Sequence, residues 1–186
     1  DRFLNSLCEI IPSFKATFTT LKLDYNHNST FSNESLENLR FLLTQASKLT
    51  ELHLNIDSYP QIDQQCFSIL AQLFSKRHTL KRLKLELGRF DNESLFIIMD
   101  SVKEIKGLEY LNLVISFFST VSSPGIKLMR DCITAMLNLK EIELTFWAGD
   151  EIDDEGIKWL SEGIAQANKL ETFNLDISSC KLSKNG

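Results

Sequence analysis

Two rhythms of apolar residues alternate along the chain. The first is a pair spaced two apart: Leu21/Leu23, Leu52/Leu54, Leu83/Leu85, Leu111/Leu113, Ile142/Leu144 and Phe173/Leu175. The intervals between first members are 31, 31, 28, 31 and 31 residues. Three positions before each pair stands Phe18, Leu49, Leu80, Leu108, Leu139 or Leu170, and two positions after it Tyr25, Ile56, Leu87, Ile115, Phe146 or Ile177. A period of two predicts short strands with one face buried and the other free.

The second rhythm is helical. Each pair is followed by an apolar residue and then a capping type: Phe31-Ser32, Ile62-Asp63, Phe90-Asp91, Val121-Ser122 and Ile152-Asp153. Ser and Asp suit a helix start, because a side-chain oxygen can satisfy a backbone N–H that has no partner in the first turn. Pro124 suits a first turn as well, where its missing N–H costs nothing. Five residues after each entry residue comes Leu36, Phe67, Leu95, Ile126 or Ile157, the second member of a hydrophobic staple. From there the apolar positions step by three and then four, as in Leu95-Ile98-Val102 and Ile157-Leu160-Ile164, which is one face of an α-helix. The third copy arrives three residues early, which places its deletion in the loop between strand and helix.

The expectation is an α/β chain of stacked strand–helix units, a single repeat segment over 1–186. It holds about five full repeats, with strands starting near 21, 52, 83, 111 and 142, and partial repeats at both ends. One unit cannot bury its own strand and helix faces, so the units must stack to fold. Leu4, Leu7 and Ile11 read as the helix of a preceding unit, and Leu182-Ser183 as the staple and cap of a following one. With Asp1 in place of an initiator Met, these cut ends lead us to expect a longer parent protein.

The spacing Leu-x-x-Leu-x-Leu, with helix openings such as Ile152-Asp153-Asp154-Glu155-Gly156-Ile157, resembles the ribonuclease-inhibitor-like class of leucine-rich repeats over essentially the whole chain. The resemblance implies a horseshoe-arc solenoid with a parallel sheet on the concave face and helices on the convex face. It also implies work as a binding surface: family members include inhibitors, ubiquitin-ligase substrate receptors, innate sensors and a GTPase-activating protein. The chain departs from the family after the strand, where Asn or Cys is usual. Here the residues are Asn26, Asp57, Gly88, Ser116, Trp147 and Ser178.

Charge narrows the partner. Residues 1–93 carry 11 basic and 11 acidic side chains, and residues 94–186 carry 9 and 14, for a net −5. That balance argues against nucleic acid, which needs clustered Lys and Arg. The longest apolar runs, such as Leu95 to Met99, are far below the roughly 20 residues of a membrane span. Cys8, Cys66, Cys132 and Cys180 stand singly, without a Cys-x-x-Cys pair or the clustered terminal cysteines of secreted repeat proteins, and this favours a reducing, cytoplasmic setting. Three sequons begin at Asn28, Asn33 and Asn92; two overlap helix starts and read as capping chemistry.

Catalytic and metal chemistry find no foothold. His27, His53 and His78 lack the i, i+4 spacing of a zinc helix, and the seven glycines are scattered. The acidic run Asp150-Glu151-Ile152-Asp153-Asp154-Glu155 lacks calcium-loop spacing and reads as a solvated helix start. No cofactor, metal or small-molecule ligand is expected. The free strand face carries Lys22, Asp24, His53, Asn55, Lys84, Glu86, Asn112, Val114, Glu143, Thr145, Asn174 and Asp176, flanked by Glu51, Arg82, Tyr110, Glu141 and Thr172. Tyr59, Phe117, Phe118 and Trp147 follow the strands and could either anchor a partner or fill space. The expected function is a non-catalytic protein–protein interaction module or scaffold within a larger intracellular protein. The alternative is the regulatory arm of an enzyme system, either a GTPase activator or a ubiquitin-ligase substrate receptor.

Overall fold

The computed structural model describes residues 8–9, 18–25, 33–56, 64–75, 78–116, 119–147, 151–177, 180 and 182–183. Strands and helices alternate through it. The strands are β1 (Thr20–Asp24), β2 (Glu51–Ile56), β3 (Arg82–Leu87), β4 (Tyr110–Ile115), β5 (Glu141–Phe146) and β6 (Thr172–Asp176). The helices are α1 (Asn33–Gln45), α2 (Gln64–Phe74), α3 (Asn92–Val102), α4 (Ser123–Ala135) and α5 (Asp154–Gln166). The six strands form one sheet in sequence order, every neighbouring pair parallel. A parallel neighbour requires a crossover, and a helix supplies it each time.

Register follows the repeat. Leu21, Leu52, Leu83, Leu111, Ile142 and Phe173 lie in one row across the sheet, and Leu23, Leu54, Leu85, Leu113, Leu144 and Leu175 in the next. These rows face the helices, and with Leu36, Leu39, Leu70, Phe74, Leu95, Ile98, Ile126, Met129 and Leu160 they form one continuous core. Phe173 differs from its row in being 38% exposed. It stands on the last strand, and among the described residues no further unit covers it.

The deletion lies where the sequence placed it. β3 ends at Leu87 and α3 begins at Asn92, whereas β4 to α4 runs from Ile115 to Ser123 and β5 to α5 from Phe146 to Asp154. The short connection is closed by Arg89, whose φ of 59° makes it the positive-φ residue among those described. Phe90 beside it is buried and stacks on Phe67 at 5.0 Å between ring centroids.

Helix starts use two kinds of contact. Asp91 forms a capping box: its carboxylate accepts from Ser94 N, and Ser94 Oγ accepts from Asp91 N. Asp153 accepts from Glu155 N and Gly156 N, both at 3.1 Å. Ser122 makes no side-chain cap. Its Oγ instead accepts from Asn92 Nδ2 of the preceding unit, and Pro124 leaves the first turn one N–H fewer to satisfy. The same reach from the first helical residue to the next unit's cap recurs twice. Ser123 Oγ donates to Asp153 Oδ1 at 2.6 Å, and Asp154 Oδ1 accepts from Ser183 N at 2.9 Å. Asn92 thus serves the neighbouring unit rather than its own helix end. The expected helix at Leu4, Leu7 and Ile11 and the cap pairs Phe31-Ser32 and Ile62-Asp63 lie outside the described residues. Cys8 and Glu9 are helical.

Candidate functional site

The sheet face turned away from the helices is a polar field in three columns. Alternation along each strand puts Lys22, His53, Lys84, Asn112, Glu143 and Asn174 in one column and Asp24, Asn55, Glu86, Val114, Thr145 and Asp176 in another. A third column at the strand starts is Thr20, Glu51, Arg82, Tyr110, Glu141 and Thr172. The sequence-derived residues thus share one surface, apart from Trp147 just past β5, and Tyr59, Phe117 and Phe118, which lie outside the described residues.

Two positions depart from the expectation of openness. Asn55 is 4% exposed and Val114 7%. Asn55 sits in register between Asp24 and Glu86, and Val114 between Glu86 and Thr145. Both belong to the floor of the face. Trp147 is 36% exposed while its backbone N donates to Ile115 O at 2.9 Å, tying the strand end to β4.

Pairs along and across the strands organise the surface. Lys22 Nζ stands 3.2 Å from Glu51 Oε1, and Lys84 Nζ 2.7 Å from Glu86 Oε1. The Arg82 guanidinium lies 3.8 Å above the Tyr110 ring centroid and reaches Glu141 at 3.9 Å. Asn112 Nδ2 donates to Glu143 Oε2. Partial burial, then the Lys84 ammonium, lower the His53 pKa from its usual value, against the pull of Glu86 and Asp24. Burial raises the Tyr110 phenol, and Glu143 adds to that rise while Asn112 and Arg82 oppose it.

A depression of about 230 Å³ opens over β1–β4, lined by Lys22, Glu51, Leu52, His53, Arg82, Lys84 and Tyr110. The Arg82–Tyr110 stack on its wall was not foreseen, because the two residues are 28 positions apart and only the register brings them together. The other end of the face is different. β4–β6 contribute Glu141, Glu143 and Asp176 and no cation to it.

Within the acidic run, the Glu151 backbone bridges to Ser122, Asp153 caps α5 and Asp154 holds Ser183, while Asp150 lies outside the described residues. Among the described residues no three His, Cys, Asp or Glu side chains gather as a metal would need, and no helix is long and apolar enough to cross a membrane. All four cysteines are free thiols, with Cys66 and Cys132 in the core. His78 is exposed in a turn, and His27 lies outside the described residues.

No family model matches the chain, and no curated protein matches it in sequence. Among solved structures it is similar to one titled "Leiomodin-1 Actin-Binding Site 2 (ABS2)", at 15% identity and a TM-score of 0.60, covering 80% of each chain. At that identity the likeness shows the fold, a leucine-rich-repeat-like arrangement of strands and helices.

Proposed function

We propose that this chain is a protein-binding module of the ribonuclease-inhibitor-like leucine-rich-repeat class, working without catalysis inside a larger cytoplasmic protein. In this reading the stack curves into a horseshoe, the polar sheet face is concave, and the partner lies across it and against the strand ends near Trp147. The observation that carries the reading is the contrast between the two faces of one sheet. One is sealed by helices in a continuous apolar core, while the other holds ordered rows of charged and amide side chains across six strands. Such a surface is broad, shallow and mixed in sign, which suits a protein partner better than a small molecule.

Three further facts support it. The structure sharing the fold is titled as an actin-binding site, and a protein-binding role is in keeping with that title. The four free thiols, two of them in the core, fit a reducing compartment. Asn92 is also fully engaged with Ser122 and backed by Gly125, which leaves its sequon no room for a glycan.

Site-specific photo-crosslinking tests the proposal. A photoreactive residue at Asn174, on the open face, should give a recurring adduct with one protein in a cell extract, competed by excess unlabelled chain. The same probe at Lys158, exposed on α5, should not. Equal adducts from both positions would move the partner off the sheet.

A further inference from the structure

The sheet face is not electrically uniform, and the depression over β1–β4 lies at the end that carries its cations. Lys22, Arg82 and Lys84 line it, against a single lining carboxylate, Glu51. Glu86 and Glu141 stand just outside and pair with Lys84 and Arg82, and Glu51 pairs with Lys22, so three cations and three carboxylates balance and this end is neutral where the β4–β6 end is acidic. That disfavours a dianion and leaves room for one carboxylate at most, on the Arg82 guanidinium, whose contact with Glu141 is long at 3.9 Å.

Three observations point to an occupant. His53 sits in register between Lys22 and Lys84, and its Nε2 is shielded from solvent with no hydrogen-bond partner among the described residues. A shielded ring nitrogen without a partner carries a desolvation cost that a ligand oxygen would relieve. Only the flexible stems of two lysines flank it along the column, and these can swing aside. The Arg82 guanidinium, already stacked on Tyr110, has its planar fork held in place for a carboxylate. At neutral pH the imidazole is uncharged, because burial and Lys84 disfavour its cation, so it offers an N–H donor rather than a second strong charge.

We propose that the depression over β1–β4 is a subsite for a single Asp or Glu side chain from an acidic segment of the protein partner, held by Arg82 and Lys84 with His53 as donor. The subsite rests on the protein-binding reading given above and names the chemistry of the partner at one end of the face. The partner's segment then lies with its acidic end over β1–β4 and any basic residues toward Glu141, Glu143 and Asp176.

The test is an NMR titration of the full chain with a short oligoglutamate peptide, following the ring resonances of His53 with His27 and His78 as internal references. Oligoglutamate should shift His53 saturably and leave the other two unmoved, oligoglutamine should shift none, and Arg82→Gln or Lys84→Gln should weaken the interaction about tenfold. Inorganic phosphate should compete only weakly. An unmoved His53, equal shifts with oligoglutamine, or tighter saturation by phosphate would overturn the subsite. Adducts from Asn174 alongside an unmoved His53 would remove the subsite and leave the wider reading standing. Absent adducts with a shifted His53 would do the reverse.

Discussion

Asn92 grips Ser122 at two points: its Nδ2 donates to Ser122 Oγ at 2.8 Å, and its Oδ1 accepts from Ser122 N at 3.0 Å. The clasp joins units 30 residues apart at the mouths of their helices. It fits because residue 125 is Gly; a Cβ there would stand 2.3 Å from Asn92 Oδ1. Asn92→Ala should therefore cost about 1–2 kcal/mol. Gly125→Ala should also destabilise, by evicting the amide. In an Asn92→Ala background the same change should instead be neutral or gain up to about 1 kcal/mol of helix propensity. A double-mutant cycle by urea unfolding checks this, and simple additivity would remove the clasp from the account.

The shortened β3–α3 connection makes a second prediction. Arg89 occupies left-handed backbone, which costs a non-glycine residue roughly 1–2 kcal/mol. Arg89→Gly should raise stability by about 1 kcal/mol. Arg89→Val should lower it, because a branched Cβ tolerates that conformation worst. Thermal midpoints moving in the same direction for both variants would contradict the assignment.

Acid should loosen the start of α5. Hydrogen bonds from Ser123 and from the backbone of Gly156 and Glu155 lower the Asp153 pKa below its ordinary value. A lowered folded-state pKa means the contribution is complete above the unfolded carboxyl range near about 3.9 and is lost as pH falls through the folded value. The stability gap between the native chain and Asp153→Asn should be constant near neutrality and close in that acid range. A gap that persists unchanged on acidification would sink the assignment.

Two leucines make an opposed pair. Leu111 is buried in the middle of the sheet core, and Leu137 is 73% exposed in the turn after α4. Leu111→Ala should cost about 2–5 kcal/mol. Leu137→Ser should change stability by no more than about 0.5 kcal/mol. Denaturant midpoints decide, and comparable losses would mean that exposure does not govern these sites.

Much of this fold could be read from the chain because its rows are one-dimensional. Leu52, Leu83 and Leu111 take the same station in each copy, and a parallel register turns equal stations into neighbours. The open polar face of the sheet was legible for the same reason, but its relief was not. Asn55 and Val114 occupy open stations and are nevertheless covered, which their place in the repeat does not reveal. The Arg82–Tyr110 stack and the shielded Nε2 of His53 likewise exist only across strands. Ser122 looked like a cap because local spacing cannot tell whether its hydroxyl is already taken by Asn92. One signal was available: Asn33, Gln64, Asn92, Ser123 and Asp154, the first residues of the five helices, are all polar.

Those first residues each belong to one unit and, in the three described cases, serve the next. Excising residues 123–153 would join Ser122 directly to Asp154, leaving Asn92 its serine and Asp154 its onward contact with Ser183. A cut shifted by even a few positions would separate a helper from its cap. Whole periods can therefore be lost or duplicated without breaking the seam, and the chain's length is free to change in multiples of one unit.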